Sequence, residues 1–221
     1  MIGCYSGLTT PNTGATHQSI NDLSIMRSIP KMIVVEVCDE NELNQAIHGA
    51  VKYHGPIYIR MVRGDIEPYD SQPVMPEGYR FAFGKACVLR EGSDVTLIGS
   101  GLMVSRCMEA ERVLQKLKIS AEVINCSAIK PLDEKTLLDS ARKTGAVVTA
   151  ENHSIIGSMG SAVVEFLAER CPVLVRRIGV MDKFGESGPM KNLFTEYGLT
   201  TQAVVNAAKQ VLGYKPQEAN S

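Results

Sequence analysis

Met32-Ile33-Val34-Val35-Glu36-Val37, then Asp39 to Val51, then Ile57-Tyr58-Ile59-Arg60-Met61-Val62-Arg63 decide the fold. The first run is continuous and β-branched, as a strand buried on both faces must be. Asp39 stands at an N-cap position, with Glu42 at capping-box spacing. Leu43, Ala46, Ile47, Ala50 and Val51 then form one helical apolar stripe. Gly55-Pro56 ends the helix, and a second strand follows. Two strands joined through a helix run parallel, so the order implies a parallel sheet with crossover helices.

Working outward toward the N-terminus, Gly14-Ala15-Thr16-His17-Gln18-Ser19-Ile20-Asn21-Asp22 passes from a polar loop into a helical pattern. Ser19 and Asp22 have capping-box-like spacing, with Asp in place of Glu or Gln. Ile20, Leu23 and Met26 repeat at helical spacing, and Pro30 stops the run. This predicts a helix from about Ser19, with His17 and Gln18 just ahead of its N-terminus, where free N–H groups favour an anion. On spacing alone, a loop histidine bonded to its neighbours is the simpler reading. Met1 to Gly7 reads as the end of a strand, and Leu8 to Thr13 as a polar loop.

Toward the C-terminus, Gly64 to Tyr79 holds three prolines and two glycines with little periodicity and reads as a linker. A second unit follows. Phe81 to Leu89 suggests a strand or hairpin arm. Strands are predicted at Val95–Gly99, Ala121–Cys126, Ala146–Ala150 and Val173–Val180. Helices are predicted around Met103–Leu117, after Asp133, around Met159–Leu167, and after Thr200 or Thr201. Lys215 to Ser221 is a polar tail.

The formal net charge of −1 gives no electrostatic case for nucleic acid or an anionic membrane. No apolar run is long enough to span a bilayer, and no secretory signal pattern opens the chain. The six cysteines, Cys4, Cys38, Cys87, Cys107, Cys126 and Cys171, make no CxxC pair. They read as small buried hydrophobes in a reducing compartment, which is expected to be the cytoplasm.

GATHQSINDLSIMRSIPKM resembles the GPTHQ-helix-R-x-(I/L)-P-N-M signature of the transketolase family. The resemblance continues through Gly55 to Arg60, Arg63, Asp182-Lys183-Phe184-Gly185-Glu186-Ser187-Gly188 and Tyr197-Gly198-Leu199-Thr200. It implies an α/β chain: a partial parallel-sheet pyrimidine-binding domain over residues 1–63, a linker over 64–79, a three-layer α/β/α C-terminal domain over 80–214 and a tail over 215–221. The implied function is the C-terminal portion of a split or truncated transketolase, which moves a two-carbon ketol unit between sugar phosphates. The alternatives are a deoxyxylulose-phosphate synthase, a 2-oxoacid dehydrogenase β-like chain, or a non-catalytic assembly domain that keeps the fold.

The same resemblance assigns roles. Arg63 takes the place of the arginine that grips the sugar phosphate, and a guanidinium fork suits that anion. His17 takes the place of the GPTHQ histidine, a phosphate contact and a candidate catalytic group. The glutamate and aromatic residues that hold the family's cofactor have no counterpart here. No residue of this chain is therefore expected to bind the thiamine diphosphate and magnesium of the complete enzyme. An N-terminal, diphosphate-binding subunit is expected to supply them, within a homo-oligomer of such pairs. Tyr5, Thr13 and Ala15 depart from the family at positions that touch sugar hydroxyls, which puts the ordinary pentose phosphates in doubt. Glu151-Asn152-His153 at a strand end could be acid–base partners, but matches the family's C-terminal domain and is expected to be structural. So is Asp182 to Gly188. Gly99-Ser100-Gly101 lacks the third glycine of a dinucleotide fingerprint, since position 104 is Val104, and reads as a tight turn. His48 and His54 read as structural or solvent-facing.

Overall fold

The structure is a computed structural model, and it describes residues 1–62 and 74–213. Arg63, most of the predicted linker and the tail lie outside the described residues. The strands are β1 (Ile2–Gly3), β2 (Ile33–Glu36), β3 (Ile57–Arg60), β4 (Cys87–Arg90), β5 (Val95–Gly99), β6 (Ala121–Asn125), β7 (Ala128–Lys130), β8 (Ala146–Ser154) and β9 (Leu174–Val180). The helices are α1 (Asp22–Ser28), α2 (Glu40–Lys52), α3 (Met103–Lys116), α4 (Glu134–Thr144), α5 (Met159–Arg170), α6 (Met190–Glu196) and α7 (Thr201–Val211).

They form two sheets, with strand orders β1-β3-β2-β7 and β4-β6-β5-β8-β9. Pairing is parallel except at β2–β7 and β4–β6. In the second sheet successive residues face opposite cores. Leu97, Val123 and Val148 pack toward α3 and α7, while Ile98, Ile124 and Val147 pack toward α4 and α5. The second unit is therefore three-layered, as expected. In the first sheet Val34 and Tyr58 join the core that contains α1, and Ile33, Val35, Ile57 and Ile59 pack on α2. Each fully buried aliphatic side chain contributes about 1.5–3 kcal/mol.

Caps follow the sequence signals at α2, α4 and α7. Asp39, Asp133 and Thr200 each accept a bond from the third residue beyond, at Glu42, Thr136 and Ala203. Gly145 closes α4 in the left-handed conformation at φ +68°. The predicted cap at Ser19 is not formed. The helix starts at Asp22, its N-cap Asn21 makes no side-chain bond, and Asp22 turns inward to a buried cation. A short 3₁₀ turn, Gly14–Thr16, intervenes, so His17 is not adjacent to the helix. Ile47 and Val51, predicted in the stripe of α2, are 37% and 82% exposed, leaving Leu43, Ala46 and Ala50 to face the core.

Two elements are absent from the sequence reading. One is α6. The other is β7, which crosses from the second unit and pairs antiparallel with β2 in the first sheet.

Candidate functional site

The carboxyl ends of the two sheets face each other. At the end of β2, Glu36 pairs with Arg60 and also accepts from Ser100 Oγ, just beyond β5. After β2, Glu42 accepts from Asn125 Nδ2 at the end of β6 (2.9 Å), from Tyr79 Oη (2.8 Å) and from the Cys38 amide (2.9 Å). Arg60, at the end of β3, is 0% exposed. Its Nε donates to Asp22 Oδ2 at 2.9 Å, and its Nη2 donates to the carbonyls of Ser19 (2.8 Å) and Asn152 (3.1 Å). Tyr58 Oη donates to the same Asp22 oxygen at 2.7 Å. A buried guanidinium with two carboxylates and two carbonyls is a satisfied charge.

The pKa directions follow from this packing. Burial pushes Asp22 up, but the guanidinium of Arg60 outweighs it and holds the carboxyl below its ordinary value. Burial raises Glu42. Burial brings Glu151 up to about 7, although its carboxylate caps α5 by accepting from Met159 and Gly160 amides at 3.0 Å each. Burial, reinforced by the charge of Arg60, lowers His153 to about 4. Its Nε2 accepts from the Leu23 amide at 3.2 Å and its Nδ1 lies 2.8 Å from the Ser154 carbonyl. Those partners require the neutral, Nδ1-protonated ring.

Glu151, Asn152 and His153 lie inside β8 rather than after a strand, and all three are fully buried. Glu151 faces the start of α5, while Asn152 and His153 face the first unit, so no acid–base pair is presented to a ligand. Asp182 to Gly188 likewise docks on the loop after β1. Gln18 Nε2 donates to the Glu186 carbonyl at 2.9 Å, and the Gly188 amide to the Pro11 carbonyl at 3.0 Å. A Cβ at Gly185 would overlap Gln18. Gly99-Ser100-Gly101 is a turn pressed on Glu36 and Val104.

His17 is the predicted site residue that the structure describes. It is exposed, with Nδ1 2.9 Å from Thr16 Oγ1, leaving Nε2 for a ligand. Tyr5, Thr13 and Ala15 are exposed on the same loop. The loop leaves the carboxyl end of β1, and the Met61 amide, just past β3, bonds the Gly3 carbonyl at 2.9 Å. The exits of β1 and β3 are thus adjacent, at the end of a parallel sheet where ligands collect. Arg63 lies outside the described residues. A cleft of about 380 Å³ runs along the loop between Ala15, Gln18, Asn21 and Met181–Gly185. His48 and His54 are exposed. The six cysteines are free thiols, but the expected burial holds only for Cys107 and Cys126, since Cys38, Cys87 and Cys171 are partly exposed and Cys4 is exposed.

Sequence reasoning missed Arg60, Asp22, Glu36 and Asn152 as a group. The signal available was a lone arginine in an otherwise apolar strand, Ile57-Tyr58-Ile59-Arg60, which burial allows only with a countercharge.

Among the described residues no cluster of His, Cys, Asp and Glu is arranged to hold a metal, and no helix is long and apolar enough to cross a membrane. The buried glutamates 36, 42 and 151 are each engaged by protein donors.

Comparison with known proteins covers both units. The family description "Transketolase, pyrimidine binding domain" matches residues 1–68, and "Transketolase, C-terminal domain" matches 84–204. The chain is 46% identical over 96% of its length to a 6-deoxy-6-sulfo-D-fructose transketolase subunit of Clostridium sp. (strain MSTE9), and spans 64% of that protein. It is 40% identical over 90% of its length to a 1-deoxy-D-xylulose-5-phosphate synthase of Symbiobacterium thermophilum, spanning 30% of it. A solved structure described as a split gene transketolase, inactive β4 tetramer, superposes with a TM-score of 0.88 at 40% identity. It covers 97% of this chain and 67% of that one.

Proposed function

This chain belongs to the transketolase family, and from that premise we propose that it is the substrate-loop half of a split ketol-transferring enzyme. In this reading a second polypeptide supplies the diphosphate-binding part, thiamine diphosphate and magnesium. The observation that carries the reading is likeness to a transketolase subunit over 96% of the chain, together with an exposed His17 loop at the carboxyl end of a parallel sheet. His17 Nε2 donates to the anionic end of the sugar and orients it, and Arg63 grips that anion. The relative named for a sulfo-sugar widens the anion from phosphate to sulfonate. Likeness to the deoxyxylulose-phosphate synthase favours, as a second reading, ketol transfer to a phosphorylated aldehyde from a smaller donor. The structural neighbour's description supports self-association of the chain when it is alone.

The test combines the purified chain with a diphosphate-binding transketolase polypeptide, thiamine diphosphate and magnesium. Ketol transfer is followed with phosphorylated, sulfonated and uncharged sugars. Activity in the combination and in neither part alone supports the reading. A sedimenting complex that transfers nothing overturns it. Arg63→Ala should raise KM for the charged sugars about ten- to a hundredfold, the worth of a charge-assisted contact, and spare the uncharged one. Equal loss on both would assign Arg63 to the fold.

A further inference from the structure

The loop that carries His17 is fastened at its stems by a residue of the other unit. Asn152 Oδ1 accepts from the Leu8 amide at 3.1 Å. The Asn152 carbonyl accepts from Arg60 Nη2, and that same nitrogen donates to the carbonyl of Ser19. The Ser19 carbonyl also accepts from the Gly7 amide at 2.7 Å, which closes the two stems on each other. Gly7 lies at φ +58°, so close to Asn152 that a Cβ there would overlap the side chain. Next along β8, His153 receives the Leu23 amide, and the Ser154 amide donates to the Ile20 carbonyl at 2.9 Å. Residues 7, 8, 19, 20 and 23 are therefore indexed against three consecutive residues of one strand. His17 lies between these fixed points.

Asn152 is fully buried and far from being a ligand contact itself. Its amide oxygen nevertheless satisfies a backbone donor that no residue of the first unit satisfies. We infer that Asn152 is a positioning residue, which sets the register of the His17 loop on the sheet end and so the place of the imidazole. For its part in substrate use this rests on the function proposed above; for the loop itself it does not.

The test has two arms. In the full chain alone, hydrogen exchange at the Leu8 amide and at residues 16–18 should rise about tenfold in Asn152→Ala, the upper worth of one hydrogen bond. Amides of β5 should keep their protection. Asn152→Asp, which keeps an oxygen at the same reach, should restore the slow exchange. Should the alanine variant not fold, Asn152→Ser, too short to reach Leu8, takes its place. In the reconstituted complex, Asn152→Ala should raise KM for a charged sugar about five- to tenfold, with kcat within about twofold. Its effect should vanish on a His17→Ala background, because the residue acts through that loop. Unchanged Leu8 exchange in a folded alanine or serine variant overturns the proposal. So does a KM loss that adds in full to that of His17→Ala. A wild-type complex without ketol transfer overturns the proposed function instead, and the exchange arm still decides the positioning.

Discussion

The two parallel sheets end in the same place and use their ends differently. In open α/β sheets the crevice beyond the carboxyl ends is where ligands bind. The second sheet offers such a crevice after β5, β6 and β8, and the first unit fills it with Glu36, Glu42 and the Arg60 pair. The first sheet's end is filled in the same way after β2, but after β1 the chain emerges as an exposed loop with Tyr5, Thr13, Ala15 and His17 on its surface. One end has become a seam and the other has kept a face. The comparison teaches that strand-end position identifies candidate ligand groups only where no neighbouring unit has claimed them. Glu151, Asn152 and His153 have the right types and place for chemistry, and packing makes them structural.

If charge holds the seam, deleting its cation should have the largest effect. Arg60→Ala strands Asp22 and Glu36 in the interior, and breaking a buried pair costs about 3–5 kcal/mol. Urea unfolding should show a midpoint loss of that order. The triple variant Arg60→Met, Asp22→Asn, Glu36→Gln should recover most of it. Failure to recover would locate the cost in lost packing around the guanidinium stem rather than in charge.

A second contrast uses glycine. Gly7 and Gly145 both have positive φ, at +58° and +68°, but a Cβ at Gly7 meets Asn152 and one at Gly145 meets nothing within 4 Å. Gly145→Ala should cost about 1–2 kcal/mol, the left-handed penalty alone. Gly7→Ala should cost a further 1–3 kcal/mol or so for the overlap. Equal midpoints in thermal unfolding would show that the seam yields, and that the Gly7 contact is loose.

Much of this architecture was readable from residue types. The runs at Ile33–Glu36, Ile57–Arg60 and Val95–Gly99 are apolar over most of their length, and no other element competes for them. Asp133 and Thr200 each keep an oxygen for the cap, Asp133 even while its second oxygen accepts from the Ala86 amide and from Thr136 Oγ1. Ser19 and Asp22 obeyed the same local rule and lost, since a guanidinium brought in from β3 takes both the Ser19 carbonyl and the Asp22 carboxylate. β7 was invisible for a related reason. Three residues, Ala128 to Lys130, carry no period, and their strand state depends on β2 being beside them. His17 was singled out by resemblance and lies exposed on its loop, whereas Arg60 and Asn152 matter through partners that no spacing displays.

Proton linkage separates two buried groups of β8 by sign. His153 has a folded pKa of about 4 against an ordinary 6.5. Its contribution is present above 6.5 and lost as pH falls toward 4, because the unfolded ring binds the proton first. Glu151 stands near 7 against an ordinary 4.5. Its contribution is present below 4.5 and lost as pH rises toward 7, because the folded carboxyl keeps its proton longer. Between 4.5 and 6.5 the two oppose each other. Glu151→Gln should therefore steepen the rise of stability with pH across that window, by up to about 1.4 kcal/mol per unit relative to the parent chain. Denaturant titrations at several pH values read the difference directly. Parallel curves for the two proteins would mean that the caps from Met159 and Gly160 offset burial and leave Glu151 ionised.

The smallest expected effect on stability is at the proposed substrate loop. His17 is exposed, its ring nitrogen Nδ1 meets the adjacent Thr16, and its amide and carbonyl bonds to Gly14 and Thr10 do not involve the ring. Removing an exposed ring away from cores, caps and ion pairs usually changes stability by no more than about 0.5 kcal/mol. His17→Ala should thus unfold with the parent chain, within error, in urea and on heating. In the reconstituted complex the same variant should lower kcat/KM for a charged sugar about ten- to a hundredfold, because a donor to an anion is lost. A residue of the seam would show the reverse, a large loss of stability with catalysis intact per folded molecule. If His17→Ala destabilises the chain by more than about 1 kcal/mol and leaves kcat/KM unchanged, the loop is another part of the seam, and the open face at the end of β1 is not where substrate binds.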